Sequence, residues 1–375
     1  MKRRFIAWAV LLPMLMLLSP LQAWAAGGSA AAGTGSETLL YQVNGTLSDF
    51  DQSRVLWTET GNHALWLIDR KDGSQIKVFD AGGSGTVDQA KLTAQGVVFA
   101  SAGSARYWEN GTVRELGVSQ RLNAAKGNFA VFSSVVVDLG TGRIRSLPNS
   151  GFQNANRFDL AADGTVVYTD STYTSKLYQS LADGTLTAWV PPNPPYTAYS
   201  GVLTDGTNLI YRVLKYTSSG EKWSLRFRDG AGQATELALN PFLGDYFDNS
   251  KQAFQIRNGW VAYKAYDKDK GHWILYVRSP EGPTRQVYEG PSSWSVMDIF
   301  RRLSLNELGA DGSVVFTADN VAYYASAQTN GLVRLPGSSG EYRYLEHVVG
   351  GPGGTEYRLG AWYRLSGDSL YGVQV

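Results

Sequence analysis

The feature that most constrains this chain is a unit of four short β-prone runs, clearest from Phe158 to Val190 (FDLAADGTVVYTDSTYTSKLYQSLADGTLTAWV). Runs rich in β-branched and aromatic residues are split there by Asp163-Gly164, by the polar segment Asp170 to Ser175, and by Asp183-Gly184. Asp-Gly supplies the positive φ angles of a two-residue reversal between antiparallel strands, so the unit reads as a four-stranded meander. A meander this small cannot bury both of its faces alone. Copies stacked radially around an axis can, and each copy is then one blade of a β-propeller.

A turn followed by a buried strand recurs at Arg54–Trp57, Gly96–Phe99, Gly127–Phe132, Gly164–Tyr168, Gly206–Tyr211, Gly259–Tyr263 and Gly312–Phe316, with an eighth, partial copy at Gly367–Tyr371. The spacing, roughly 31 to 55 residues, brackets that of blade-sized repeats. Seven anchors are followed by complete third and fourth runs. The eighth leaves Leu370 to Val375 without partners, and an open edge of that kind is an aggregation hazard. The run Leu39 to Val43, ahead of the first anchor, has no blade of its own. The expectation is therefore an all-β propeller of seven to eight four-stranded antiparallel blades, closed by an N-terminal strand pairing with C-terminal strands in one composite blade.

The chain opens Met1-Lys2-Arg3-Arg4, runs apolar from Phe5 to Leu18, and reaches Ala23-Trp24-Ala25. That is the order of a secretory signal, cut after Ala25. Residues 26–37, AGGSAAAGTGSE, form a Gly/Ala/Ser stretch with little to bury, expected to be a flexible tether, and 38–375 then form a single propeller domain. The expected address is outside the cytoplasm, secreted or at the cell envelope, with no integral membrane segment left after cleavage and the protein a monomer. No cysteine occurs, which excludes a disulfide framework and thiolate metal sites. Cleavage removes Lys2, Arg3 and Arg4 from 34 basic residues, leaving 31 against 33 acidic ones. Such a balance gives no electrostatic reason for nucleic acid as a partner.

The segments Ala162-Asp163-Gly164-Thr165-Val166-Val167-Tyr168 and Ala310-Asp311-Gly312-Ser313-Val314-Val315-Phe316, each followed by an aromatic run and a second turn, resemble the repeat of TolB-type (WD40-like) bacterial propellers. The resemblance covers most of Arg54 to Pro336. The proline that often precedes Asp-Gly in that family is replaced by Ala162, Thr204 and Ala310, and the copies at Gly96 and Gly127 lack the Asp as well. The family consists mainly of binding proteins and non-catalytic parts of larger enzymes. The resemblance thus implies a binding role and transfers no catalytic residue.

Strands alternate direction within a blade. Links between first and second and between third and fourth strands lie on one side of the disc; links between second and third strands, and between blades, lie on the other. The first side is mostly tight turns. On the second, the links of blades four to six are long and aromatic, and long loops on a rigid scaffold are where binding residues collect. The expected ligand-binding set is Tyr173, Tyr196, Tyr199, Tyr216, Tyr246, Phe247, Tyr266, Trp294, Arg301 and Arg302, facing a protein or carbohydrate ligand. The competing reading is a secreted polysaccharide lyase or glycoside hydrolase, resting on convergence of His63, His272 and His347 or on carboxylates among Asp170, Asp245, Asp248 and Asp298. Asp267 to Gly271 resembles half a calcium loop, but Val277 stands where the bidentate acid belongs. No catalytic residue, metal or cofactor is assigned.

Overall fold

The computed structural model describes residues 33–83, 85–150, 158–170, 175–191, 196–239, 250–267, 269–294, 302–329, 331–337, 340–350 and 356–375. Two N-terminal strands, β1 (Gly33–Thr34) and β2 (Ser36–Gln42), precede the first blade. Blade one is β3 to β6 (Gly45–Phe50, Arg54–Glu59, Ala64–Asp69, Gln75–Asp80) and blade two β7 to β10 (Val87–Leu92, Val97–Ser101, Ser104–Glu109, Thr112–Glu115). Blade three is β11 to β14 (Leu122–Lys126, Phe129–Phe132, Val135–Asp138, Ile144–Ser146) and blade four β15 to β18 (Phe158–Leu160, Val166–Thr169, Leu177–Ser180, Leu186–Trp189). Blade five is β19 to β22 (Thr197–Thr204, Leu209–Thr217, Gly220–Arg228, Ala234–Leu239). Blade six is β23 to β26 (Phe254–Arg257, Trp260–Asp267, His272–Arg278, Thr284–Glu289), preceded by the helical turn α1 (Ser250–Ala253). Blade seven is β27 to β30 (Leu303–Leu308, Val314–Ala318, Val321–Ala325, Leu332–Arg334), and β31 to β33 (Glu341–Gly350, Glu356–Ser366, Ser369–Gln374) begin the eighth.

Every blade is a sheet in chain order except the last, which runs β2-β33-β32-β31. The N-terminal strand is its outer strand: β2 lies antiparallel to β33, with Ser36 opposite Gln374 and Gln42 opposite Ser369. The ring thus has eight blades and the expected composite closure. One strand was not anticipated. β1 adds in parallel to the outer edge of β30, Gly33 beside Val333, so strand structure takes in residues 33–34 and 36–37, among the last of the supposed tether. A Gly-Thr pair can do this because an extended backbone alone satisfies an edge, with no side chain to bury.

The core lies between the blades. One apolar cluster spans each neighbouring pair: Leu56 and Val78 of blade one pack with Val97 and Phe99 of blade two, and Trp273 and Leu275 of blade six with Val314 and Phe316 of blade seven. Tyr363 and Leu370 of the closing blade pack with Val55 and Phe50 of the first, which completes the circle. A fully buried ring such as Phe316 contributes about 2 to 3 kcal/mol by its burial. Arginines bridge the outer seams, Arg278 lying 4.3 Å above the Phe227 ring of the preceding blade and Arg70 4.9 Å above Tyr363 of the closing one.

The Asp-Gly reversals differ from the expected two-residue turn. Gly164 has φ +85° while Asp163 stays at negative φ. Gly164 N–H donates to the Ala161 carbonyl (3.1 Å), Ala161 N–H to the Thr165 carbonyl (2.9 Å), and Asp163 Oδ1 accepts Thr165 N–H (2.9 Å). The same three bonds form at Leu181–Thr185 and at Gly309–Ser313. Aspartate therefore acts as a cap inside a longer turn, and only the glycine takes the left-handed conformation. Glycine is required for a second reason: a Cβ on Gly164 would sit 2.6 Å from the Phe129 ring of blade three, and one on Gly312 would sit 2.3 Å from the Trp260 ring of blade six.

Candidate functional site

On the long-loop side, blades four and five are joined through their links. Tyr216 N–H, at the end of β20, donates to the carbonyl of Tyr196 (2.7 Å), and Tyr199 N–H donates to the carbonyl of Ser175 in blade four (2.9 Å). These bonds bring Tyr196, Tyr199 and Tyr216 to one place. Tyr196 is 62% exposed, the one aromatic among the exposed large apolar residues described. Tyr199 is half-buried and meets Tyr211 edge-on at 5.5 Å, and burial raises its phenol above the usual range. Tyr216 is also half-buried.

The other expected members are placed differently. Tyr266, in blade six, is half-buried and packs against Trp273 with centroids 5.2 Å apart. Arg302 is exposed at the start of blade seven, its Nη1 3.5 Å from Asp319 Oδ1. Trp294 is only 3% exposed and belongs to the core between blades six and seven, beside Tyr288. Gly290 makes room for it, since a Cβ there would lie 2.7 Å from the indole. Trp294 is thus a packing residue and is withdrawn from the ligand-facing set; it closes a turn in which Trp294 N–H donates to the Pro291 carbonyl at 3.0 Å. Tyr173, Tyr246, Phe247 and Arg301 lie outside the described residues, as do Asp245, Asp248 and Asp298.

Sequence reasoning missed a cavity of about 1500 Å³ on the ring axis, bordered by the first strands and by the tight turns of the opposite side. Its wall carries acids at one repeated register: Asp49 opposite Leu56, Asp159 opposite Val167 and Glu307 opposite Val315. Each acid reaches the next blade. Asp49 Oδ2 accepts Leu92 N–H (2.8 Å), Asp159 Oδ2 accepts Thr204 N–H (3.0 Å), and Glu307 is hydrogen-bonded by the backbone of Tyr344. Each also meets a cation: Arg343 at Asp49, Lys251 of α1 at Asp159 (3.4 Å) and Arg257 at Glu307 (2.9 Å). The Asp159 charge raises the Lys251 ammonium above its ordinary range, while burial raises the Glu307 carboxyl. The signal was present in the sequence as an acid followed by an apolar residue just before a turn, in Asp49-Phe50, Asp159-Leu160 and Glu307-Leu308. Such paired, hydrogen-bonded charges pin neighbouring blades together. On the walls of blades two and three, Lys91 and Lys126 add positive charge to the cavity.

The histidines do not converge. His63 Nδ1 contacts the Gly85 carbonyl (2.8 Å), His272 Nδ1 the Gly290 carbonyl (3.0 Å), and His347 Nε2 the Tyr363 hydroxyl (2.9 Å). The first two hold the same position, just ahead of or opening the third strand of blades one and six, and tie it to the link that follows the blade. Among the described residues no group of three or more His, Asp or Glu side chains could hold a metal ion. Asp267 Oδ1 is engaged by the N–H groups of Asp269 (3.0 Å) and Lys270 (3.2 Å), as in an ordinary Asx turn. Asp170 is 4% exposed, and its Oδ1 accepts Lys176 N–H at 3.2 Å.

A closed ring of eight antiparallel blades with tight turns on one side and long links on the other defines a β-propeller. No protein-family model matches the sequence, and no curated protein matches it. Among solved structures the chain is similar to dipeptidyl peptidase 4 of Porphyromonas gingivalis, with 12% identity, a TM-score of 0.55, and coverage of 87% of this chain and 59% of that one. It is also similar to the acylaminoacyl peptidase of Pyrococcus horikoshii, with 11% identity, a TM-score of 0.39, and coverage of 85% of this chain and 57% of that one. At 12% identity the likeness to the dipeptidyl peptidase is one of fold, and the chain spans less than two thirds of the length of either peptidase.

Proposed function

We propose that this protein is an exported binding module, secreted or held at the cell envelope, that captures a protein or carbohydrate ligand on the long-loop side of blades four to six. The observation that carries the reading is the exposed Tyr196, whose backbone carbonyl accepts the Tyr216 N–H and which stands three residues ahead of the half-buried Tyr199. A solvent-facing aromatic on an anchored backbone offers contact area with only two side-chain torsions to order, and stacks equally well on a sugar face or a peptide. The basic-then-apolar start of the chain supports export. Among the described residues the three histidines lie apart, each on a separate partner, so they lend no support to a histidine-based lyase.

The test is a panel of glycans, cell-wall fractions and envelope proteins probed with the purified protein and with Tyr196→Ala. Capture without turnover, weakened at least about tenfold by the substitution at unchanged thermal stability, supports the reading. Turnover of a panel member, or capture indifferent to Tyr196, contradicts it.

A further inference from the structure

We propose that the axial cavity carries a carboxylate site where blades two, three and four meet, separate from the long-loop side and taking a small carboxylate-bearing molecule. It follows from a rule that the inner strands keep elsewhere and break there. At the register that holds Asp49, Asp159 and Glu307, blade six has Gln255, opposite Ala262, and its Oε1 accepts Leu308 N–H of blade seven at 2.7 Å. Blades one, four, six and seven thus each set an acceptor at this register. Each acceptor meets the backbone one residue past the same register of the next blade, at Leu92, Thr204, Leu308 and Tyr344. Blades two and three depart from the rule, for Lys91, opposite Val98, and Ala124, opposite Val131, stand there instead. A lysine side chain only donates and an alanine side chain does neither, so blade two brings no acceptor to Ala125 N–H and blade three none to Leu160 N–H.

Both N–H groups face the axis. Leu139 N–H donates to the Asn128 carbonyl, so Asn128 and Ala130 bond toward β13, and the alternation of an antiparallel ladder turns Ala125 N–H away from β12. Asp170 N–H donates to the Lys176 carbonyl, which by the same alternation turns Val166 toward β17 and Leu160 N–H toward the axis. Around them the wall is cationic. Lys91 and Lys126 line the cavity, and among the described residues neither is in an ion pair. The flanking acids do not offset them, because Asp49 is held by Arg343 and Asp159 by Lys251. Ala124, half-buried, leaves room where Asp159 stands in the next blade. A carboxylate entering that room does the work of the missing side chain: it accepts the axial N–H groups, and Lys91 and Lys126 give it the cation that Asp49, Asp159 and Glu307 draw from Arg343, Lys251 and Arg257. The other two positions of the ring are occupied differently, Leu203 packing into the seam with blade six and Arg343 pairing with Asp49.

Isothermal titration calorimetry with citrate tests this, with inorganic phosphate as the competing anion and Lys91→Gln, Lys126→Gln and Ala124→Asp as variants. The Ala124→Asp change restores the acid of the register, so it should fill the site from within. The expected result is one-to-one citrate binding that each substitution weakens at least about tenfold, with the melting temperature of Ala124→Asp at or above the parent's. Should Ala124→Asp fail to fold, the two glutamine variants decide alone. No citrate binding up to about 10 mM overturns the proposal, as does binding that the variants leave unchanged, or phosphate binding as tight as that of citrate.

Discussion

Glu37 and Arg364, 327 residues apart in the chain, meet in a two-bond ion pair: Arg364 Nε donates to Glu37 Oε1 at 2.8 Å and Nη2 to Oε2 at 2.7 Å. Their side chains are 9% and 10% exposed, and the pair locks the N-terminal strand onto the closing blade. Removing one member strands the other's charge in a buried seam, at a cost of about 3 to 5 kcal/mol. Glu37→Ala is expected to lower the unfolding free energy by that amount, and Glu37→Gln, which retains one acceptor, by less. Equilibrium urea unfolding measures both.

Asp49 joins three blades, accepting Leu92 N–H from blade two and pairing with Arg343 of the closing blade. Asp49→Ala leaves the Leu92 N–H without its acceptor and takes one of two carboxylates from Arg343, which keeps Glu341, and is expected to destabilise by about 1 to 3 kcal/mol. Asp49→Asn retains hydrogen-bonding capacity and should lose less. Thermal unfolding of the two variants side by side gives the order.

Trp294 and Tyr196 were expected to play the same part, and they should respond oppositely. Trp294→Ala opens a cavity between blades six and seven and is expected to cost about 3 to 5 kcal/mol. Tyr196→Ala should change stability by less than about 0.5 kcal/mol, its ring being largely in solvent. Calorimetry separates the two.

His347 supplies a pH dependence. Burial, aided by the Arg70 charge, lowers its imidazole below 6.5. The unfolded chain then binds this proton more readily than the folded one, so the stabilising contribution is complete above pH 6.5 and is lost as pH falls through the lower, folded value. His347→Phe should flatten that limb of the stability curve while leaving the slope above pH 7 unchanged. Unfolding free energies measured from pH 7.5 down to pH 5 check this.

Blade number and closure were legible because Gly-rich turns and β-branched runs repeat at blade spacing, and because a strand without a blade and a blade without a strand had to meet. The turn geometry was less so. Asp163-Gly164 is compatible with a two-residue hairpin, and only the backbone reveals aspartate as a cap to Thr165 N–H. Aromatic content alone could not sort Trp294 from Tyr196, since whether a loop ring tucks inward depends on room such as Gly290 provides. The axial acids escaped notice because their meaning lies between blades: Glu307 and Arg257 are 50 residues apart and meet only when blades six and seven pack together.

Closure of the ring by the N-terminal strand is the claim on which the two unlike sides, and hence the binding surface, depend. The chain has no cysteine, and Ser36 Oγ lies 3.1 Å from Gln374 Oε1 across the β2–β33 pair, at exposed positions. A Ser36→Cys, Gln374→Cys double variant should form an intramolecular disulfide on mild oxidation, seen by mass spectrometry as one cross-linked peptide pair, and should unfold at a higher temperature than its reduced form. Two free thiols, or only intermolecular cross-links, would contradict the closed ring.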